Sequence, residues 1–230
     1  TCALPISVTG AQYQAISNVA TGTLGFQSAF KSRYGGWAIN GAIITKVTDA
    51  NYPAQTCEGA AYLNNIGYVV DITGINGLVV IRGSAGSDPL TWPPLNFLNP
   101  PVASGSAVYV CNYLNYVALF TEFGLQMFYD AGNPTGSALS PVSNAAWLTG
   151  CGASASVVKI VDDIYFLSNS VVTGYAITRL QGLTLTNVST PELERALNKY
   201  AFVTSFAQSF RTLGHSFYSI TGVTGSGFSV

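Results

Sequence analysis

The sequence predicts a mainly β fold: an antiparallel, sandwich-like domain with one amphipathic α-helix near the C-terminus, at about residues 191–213. Short apolar runs with a period of two recur along the 230 residues and are bounded by Gly, Asn, Pro or Asp. Polarity comes mainly from Ser, Thr, Asn, Gly and Tyr, which favour strands and turns. All-β domains of this length are often undivided, so a single domain spanning residues 1–230 is predicted.

The apolar runs predict strands along most of the chain. They are residues 5–9, 42–48, 68–75, 78–82, 106–113, 116–122, 125–130, 157–167, 171–180, 183–187, 216–221 and 227–230. Asn76-Gly77 predicts a tight hairpin, because both residues readily take positive φ. Large side chains on both faces of residues 108–120 are typical of strands covered on both sides. No internal repeat of 20–50 residues is visible, which disfavours propellers and solenoids.

One segment has a helical period. Ser189-Thr190-Pro191-Glu192 offers a cap, a proline in the first turn and an acidic residue near the positive end of the dipole. Gly214 supplies the stop. Apolar residues follow the cap at three- and four-residue spacing: Leu193, Leu197, Tyr200, Val203, Phe206, Ala207, Phe210 and Leu213. The wide apolar stripe predicts a helix that packs against the sheet or against another subunit.

Charge is scarce and balanced. Only 8% of the residues are charged, against about 25% in ordinary soluble domains. The nine basic residues form no cluster, which excludes nucleic acid as a partner. The uncharged stretch 90–120 is interrupted by four prolines and cannot form a membrane-spanning helix.

Four widely spaced cysteines predict two disulfides. They contain no CxxC pair, which disfavours a zinc site or a redox motif. An even count in a chain of this composition indicates an oxidising compartment, so a secreted or cell-surface protein is predicted. Three pairings are open, and Cys2–Cys57 with Cys111–Cys151 is favoured. The alternative is buried thiols in an intracellular protein.

The sequence offers little for catalysis. Its one histidine, His215, follows the stop of the predicted helix, which accounts for it without chemistry. No GxSxG, HExxH, EF-hand or phosphate-binding loop occurs. Asp162 and Asp163 are neighbours in a predicted strand and would face opposite sides. No catalytic, cofactor-binding or metal-ligating residue is predicted, and an enzyme is not expected. A secreted hydrolase with carboxylates on separate strands is an alternative.

A surface so poor in charge indicates that much of it is covered by copies of the same chain. The sequence therefore predicts a structural subunit of an extracellular homopolymer, such as a pilus-like filament, thread, sheath or coat. A donated strand would join subunits edge to edge. Residues 1–9, with Ile6 and Val8 as anchors, are the favoured donor, and Phe228 with Val230 is the alternative. Both termini could instead pair within their own sheet.

Two further segments bear on partners. The Pro-rich loop 87–101 is stiff, and its Trp92 and Phe97 are predicted to contact another subunit. Alternatively, these rings fold back onto the core. Asn187-Val188-Ser189 is a glycosylation sequon, which predicts a glycan on Asn187. The alternative function is a carbohydrate-binding module or adhesin with glycans as partners, because Tyr, Trp and Asn suit sugar recognition.

Overall fold

A computed structural model of the chain describes residues 14–17, 28–32, 34–40, 43–73, 79–101, 105–199 and 205–222. It confirms a mainly β fold with antiparallel sheets and one helix near the C-terminus. The elements are β1 Gln14–Ser17, β2 Ser28–Ser32, β3 Gly35–Asn40, β4 Ile43–Lys46, β5 Glu58–Gly59, β6 Ala61–Leu63, β7 Ile66–Asp71, β8 Val80–Gly83, β9 Phe97–Leu98, β10 Ala107–Tyr113, β11 Tyr116–Thr121, β12 Leu125–Asp130, β13 Leu139–Trp147, β14 Gly150–Cys151, β15 Val158–Ile160, β16 Asp163–Ser170, β17 Gly174–Gln181, β18 Thr184–Asn187, α1 Pro191–Lys199, β19 Phe206–Thr212 and β20 His215–Thr221.

The sheets repeat one simple connection. Strands pair in sequence order in β1-β2-β3-β4, in β6-β7-β8-β9 and in the run from β10 to β13, to which β5 adds a fifth strand. A further sheet has the order β14-β16-β17-β18, with β15 also paired to β16. Among the described strands, β19 pairs only with β20. The recurring four-stranded meander was not visible as a repeat in the sequence, because it lies in the hydrogen-bonding order and not in residue identity.

The chain divides into two compact units. The first contains Thr1–Pro101, Val110–Ala118 and Met127–Val142, and the second contains Val102–Tyr109, Leu119–Gln126 and Ser143–Val230. The single domain predicted for residues 1–230 stays a prediction. Within the described ranges, no helix is both long and apolar enough to cross a membrane.

Buried strands follow the predicted pattern. β12 has the predicted bounds, 125–130. In β11, Val117, Ala118, Leu119 and Phe120 are all fully buried, so both faces of this strand are covered, as predicted. The strands predicted at 5–9 and 227–230 and the Asn76-Gly77 turn lie outside the described residues.

The helix is shorter than predicted. α1 begins at Pro191, as expected, with Thr190 as its cap: Thr190 Oγ1 accepts from the Leu193 amide at 3.4 Å. It ends at Lys199, and residues 206–212, predicted to be helical, form β19. In this segment the four-residue spacing of the apolar side chains also satisfies a period of two. The Leu213-Gly214 turn then allows seven residue pairs between β19 and β20, and this ladder prevails over local helix propensity.

Residues 157–167, predicted to be one strand, form two strands joined by a tight turn. Val161 and Asp162 connect β15 to β16, and Val161 has a φ of 58°. A β-branched residue is strained in this left-handed region, whereas Asn tolerates it well. The sequence pattern missed the turn because Val161, the residue at positive φ, is not a typical turn former.

We expect Val161→Asn to raise the free energy of unfolding by about 1 kcal/mol, because it relieves this strain. Val161 is exposed, so the substitution removes little packing. Urea unfolding of the wild type and the variant measures the change. Val172→Asn is the control, since Val172 is also exposed and has no positive φ. An equal gain in both variants would contradict the assignment of strain to position 161.

Candidate functional site

A cleft of about 580 Å³ lies within the first unit. Its lining is polar and aromatic: Leu63, Asn64, Asn115, Tyr116, Tyr129, Asp130 and Val142. No Lys, Arg or His is among these residues. One carboxylate, two amides and two phenol rings therefore share one concave surface, the arrangement that binding sites for small polar ligands use. We call this surface the Asp130 cleft.

Tight turns bring the polar side chains together. Asn64 lies in the two-residue turn between β6 and β7, where Asn64 and Asn65 have φ of 49° and 66°. Asn115 lies in the corresponding turn between β10 and β11. Asn is among the few residues with a side chain that accept positive φ readily, which explains Asn at positions 64 and 65. Tyr129 and Asp130 end β12 and complete the cleft.

Hydrogen bonds hold the Asp130 carboxylate in place. The Asn64 amide donates to Oδ2 at 2.6 Å, and the Gly132 backbone N–H donates to Oδ1 at 2.8 Å. The Tyr68 side chain is fully buried, and its hydroxyl has no hydrogen-bond partner within the described structure. Desolvation raises the pKa of Tyr68, and the negative charge of Asp130 raises it further. The phenol therefore keeps its proton to a higher pH than an exposed tyrosine does, and it is not among the lining residues of the cleft.

A second feature is the exposed hairpin of β19 and β20. Its apolar side chains Phe206, Phe210, Leu213 and Phe217 are between 43% and 93% exposed. The Phe210 and Phe217 rings stack with their centroids 5.1 Å apart. The base of the hairpin is anchored: Ile220 packs in the core with Leu197, and the Tyr218 hydroxyl donates to the Ser156 carbonyl at 2.8 Å. We call these four apolar side chains the hairpin surface.

A buried lysine lies near the start of the chain. Lys31 is 2% exposed, and its ammonium donates to Thr56 Oγ1 at 3.0 Å and to the Cys57 carbonyl at 2.6 Å. Desolvation lowers the pKa of Lys31, while Cys57 and Glu58 partly oppose this effect. These contacts join β2 to the segment before β5, which is a structural role.

The predicted disulfides are absent. Cys57, Cys111 and Cys151 are thiols in the structure, so neither the Cys2–Cys57 nor the Cys111–Cys151 bridge is formed, and Cys2 lies outside the described residues. Cys57 Sγ donates to the Glu58 carbonyl, and Cys151 Sγ donates to the Ala153 carbonyl, each at 3.1 Å. Both sulfurs are buried and satisfied locally, which is the alternative that cysteine spacing could not exclude. Desolvation raises the pKa of Cys57 to about 12 and that of Cys151 to about 11.

The structure separates the two rings that the Pro-rich loop was predicted to expose. Trp92 is only 2% exposed and packs with Val47 and Val69. Its indole N–H donates to the Pro89 carbonyl at 3.0 Å. The predicted subunit contact through Trp92 is therefore wrong, because the ring already fills the core of its own unit. Phe97 lies half-buried in β9.

The remaining predicted residues divide into two groups. Ile6, Val8, Phe228 and Val230 lie outside the described residues. Asn187 is exposed at the end of β18, where its amide donates to Glu194 Oε1 at 2.6 Å and its Oδ1 accepts from Ser189 Oγ at 2.7 Å. The glycan on Asn187 stays a prediction. Among the described residues, no group of three or more His, Cys, Asp or Glu side chains is placed to hold a metal ion.

Sequence reasoning missed the Asp130 cleft. Its residues come from four stretches of chain that only the tertiary structure brings together, and the paired turns at 64–65 and 114–115 were the one available signal.

Comparison with protein-family models and with curated proteins finds no match for the chain.

Proposed function

We propose that the chain is a structural subunit of a secreted or cell-surface homopolymer, and the exposed hairpin surface is the observation that carries this proposal. A two-stranded sheet is marginal in water unless something packs on it. Here Ile220 and Tyr218 anchor the hairpin, whereas the four side chains of the hairpin surface stay exposed. A neighbour that packs on Phe206, Phe210 and Phe217 removes this apolar area from water.

A second copy of the same chain fits this surface. Only 8% of the residues are charged, so copies meet with little charge to desolvate or repel. Among the described strands, β4 lies at the edge of its sheet, and all four of its residues are exposed. Two of them, Ile43 and Ile44, are apolar and 67% and 57% exposed. An open, apolar edge of this kind is a pairing site for a strand of a neighbour.

Donor-strand exchange is the mode of assembly that we propose. Residues 1–9, with Ile6 and Val8 as anchors, are the favoured donor, and Phe228 with Val230 is the alternative donor. The donor adds main-chain hydrogen bonds along an open edge, and its alternate side chains contact the apolar surface. Phe97 is a peripheral contact in this proposal.

The double variant Phe210→Ser, Phe217→Ser is expected to abolish polymer formation. It replaces the stacked pair at the centre of the hairpin surface with polar side chains and leaves the anchors Tyr218 and Ile220 unchanged. Electron micrographs and sedimentation velocity of wild type and variant, matched in concentration, measure the effect. We expect filaments or other regular polymers from the wild type and monomers from the variant.

The matched control is Val171→Ser, Val172→Ser, which removes two exposed apolar side chains from the turn between β16 and β17 in the same unit. This control should polymerise as the wild type does. A wild type that stays monomeric at every concentration contradicts the homopolymer. Normal polymerisation after deletion of residues 1–9 contradicts only the favoured donor.

A further inference from the structure

We infer that the Asp130 cleft binds one neutral sugar residue of a glycan, a binding function that goes beyond self-assembly. A sugar offers adjacent hydroxyl groups as donors and acceptors, together with a weakly apolar ring face. The cleft presents a complementary set of groups within one unit. Its volume of about 580 Å³ lies within the usual range for small-ligand sites, about 300–1,000 Å³.

Asp130 is the acceptor for two sugar hydroxyls. Each carboxylate oxygen already accepts one hydrogen bond, from Asn64 or from Gly132. A carboxylate oxygen has about two lone-pair sites, so each oxygen keeps one for a ligand. The bound N–H donors also fix the orientation of the carboxylate, which lowers the entropy lost on binding.

The amides and rings supply the remaining contacts. The Asn64 amide has a second N–H, and the Asn115 amide adds donors and an acceptor on the same lining. Tyr116 and Tyr129 also line the cleft, and Tyr129 is exposed. Aromatic side chains with a polar tip suit a ligand that has one apolar face and a hydroxylated edge.

The charge of the cleft selects among ligand classes. A phosphate, a sulfate or an acidic sugar would meet the Asp130 carboxylate with no cation among the described lining residues to offset the repulsion. A lysine or arginine side chain would bind the carboxylate, but it has no acceptor for the donors of Asn64 and Asn115. A neutral polyhydroxylated ring uses both kinds of group.

Binding by one cleft should be weak, with a Kd of about 1 mM, because a single sugar ring makes few contacts. Repeated clefts along a polymer would raise the avidity for a glycan-coated surface. This gain rests on the proposed homopolymer, whereas binding to a single subunit does not.

The test is a titration of ¹⁵N-labelled protein, kept below the concentration at which it polymerises, with methyl glycosides of glucose, galactose, mannose and N-acetylglucosamine, followed by chemical shifts. We expect saturable shifts at the turns 64–65 and 114–115 with at least one glycoside. Asp130→Asn should raise the Kd at least about tenfold, because it removes the charge from two hydrogen bonds. Asp88→Asn is the control, since Asp88 caps its own turn in the same unit, outside the cleft lining. It should bind as the wild type does.

Asn115→Ala is the second variant, because Asp130→Asn also weakens the hydrogen bond that positions Asn64. If both variants keep the wild-type shifts in the absence of sugar yet bind the glycoside as tightly as wild type, the assignment is overturned. Saturable binding of an acidic sugar or of a lysine peptide, without binding of any neutral glycoside, also overturns it. Sugar binding by the monomeric Phe210→Ser, Phe217→Ser variant would separate this site from self-assembly.

Discussion

Phe120→Ala is expected to lower the free energy of unfolding by about 3–5 kcal/mol. The Phe120 side chain is fully buried in β11, and its ring meets Phe166 edge to face with the centroids 5.0 Å apart. The centroid of the Tyr109 ring lies 6.3 Å from that of Phe120. Truncation leaves a cavity between two aromatic rings that cannot collapse without moving strands, so the cost lies near the top of the range for core residues.

Chemical denaturation of the monomeric form measures this loss. Phe206→Ala is the matched control, because it removes the same atoms from a half-exposed position on the hairpin surface. Phe206→Ala should change the free energy of unfolding by no more than about 0.5 kcal/mol, as for most surface substitutions. Equal losses in the two variants would contradict the placement of Phe120 at the centre of the core.

Raising the pH from 9 to 11 is expected to destabilise the folded chain by about 2 kcal/mol through Cys57. The ordinary pKa of this thiol is 9.0, and burial raises the pKa of Cys57 to about 12. Between these values the unfolded chain releases the proton and the folded chain keeps it. The unfolded state therefore binds fewer protons, and stability falls as the pH rises.

Cys151 acts in the same direction between pH 9 and about 11, because burial also raises its pKa. Tyr52 and Tyr218 add to the loss above their ordinary pKa of 10.0, since desolvation raises both pKa values. Lys31 opposes this loss of stability. Because the pKa of Lys31 is lowered in the folded state, the unfolded chain binds more protons, and stability rises with pH towards 10.5.

The Cys57→Ala variant isolates the contribution of the Cys57 thiol to the pH dependence of stability. Its unfolding free energy should be lower than wild type at pH 8, because a buried group is lost, but it should fall less steeply between pH 9 and 11. Thermal unfolding followed by circular dichroism at each pH gives both slopes. Parallel slopes would contradict a buried thiol at position 57, and rapid alkylation of Cys57 in the folded protein at pH 8 would do so independently.

Local pattern was sufficient where one period fits the residues. Alternating apolar side chains predicted β12, and large side chains on both faces predicted the doubly buried β11. Thr190 and Pro191 set the start of α1, since capping depends on the few residues at that point.

Where two periods fit, local pattern was insufficient. In residues 206–212 the spacing of the apolar side chains satisfies both a helix and a strand, and pairing with β20 decided the outcome. Local pattern also missed the turn within residues 157–167. The turn places Val161 at positive φ, a backbone conformation that its side chain disfavours.

Composition alone established the scarcity of charge and the lack of a basic cluster in the sequence. The local spacing of apolar residues was enough to establish the mainly β class. Three features emerged only from the folded chain: Cys57 and Cys151 are buried thiols, Trp92 belongs to the core, and Asn64 meets Asp130 across 66 positions of sequence. Burial and long-range hydrogen bonds depend on which strands pair, and strand pairing is a property of the whole chain.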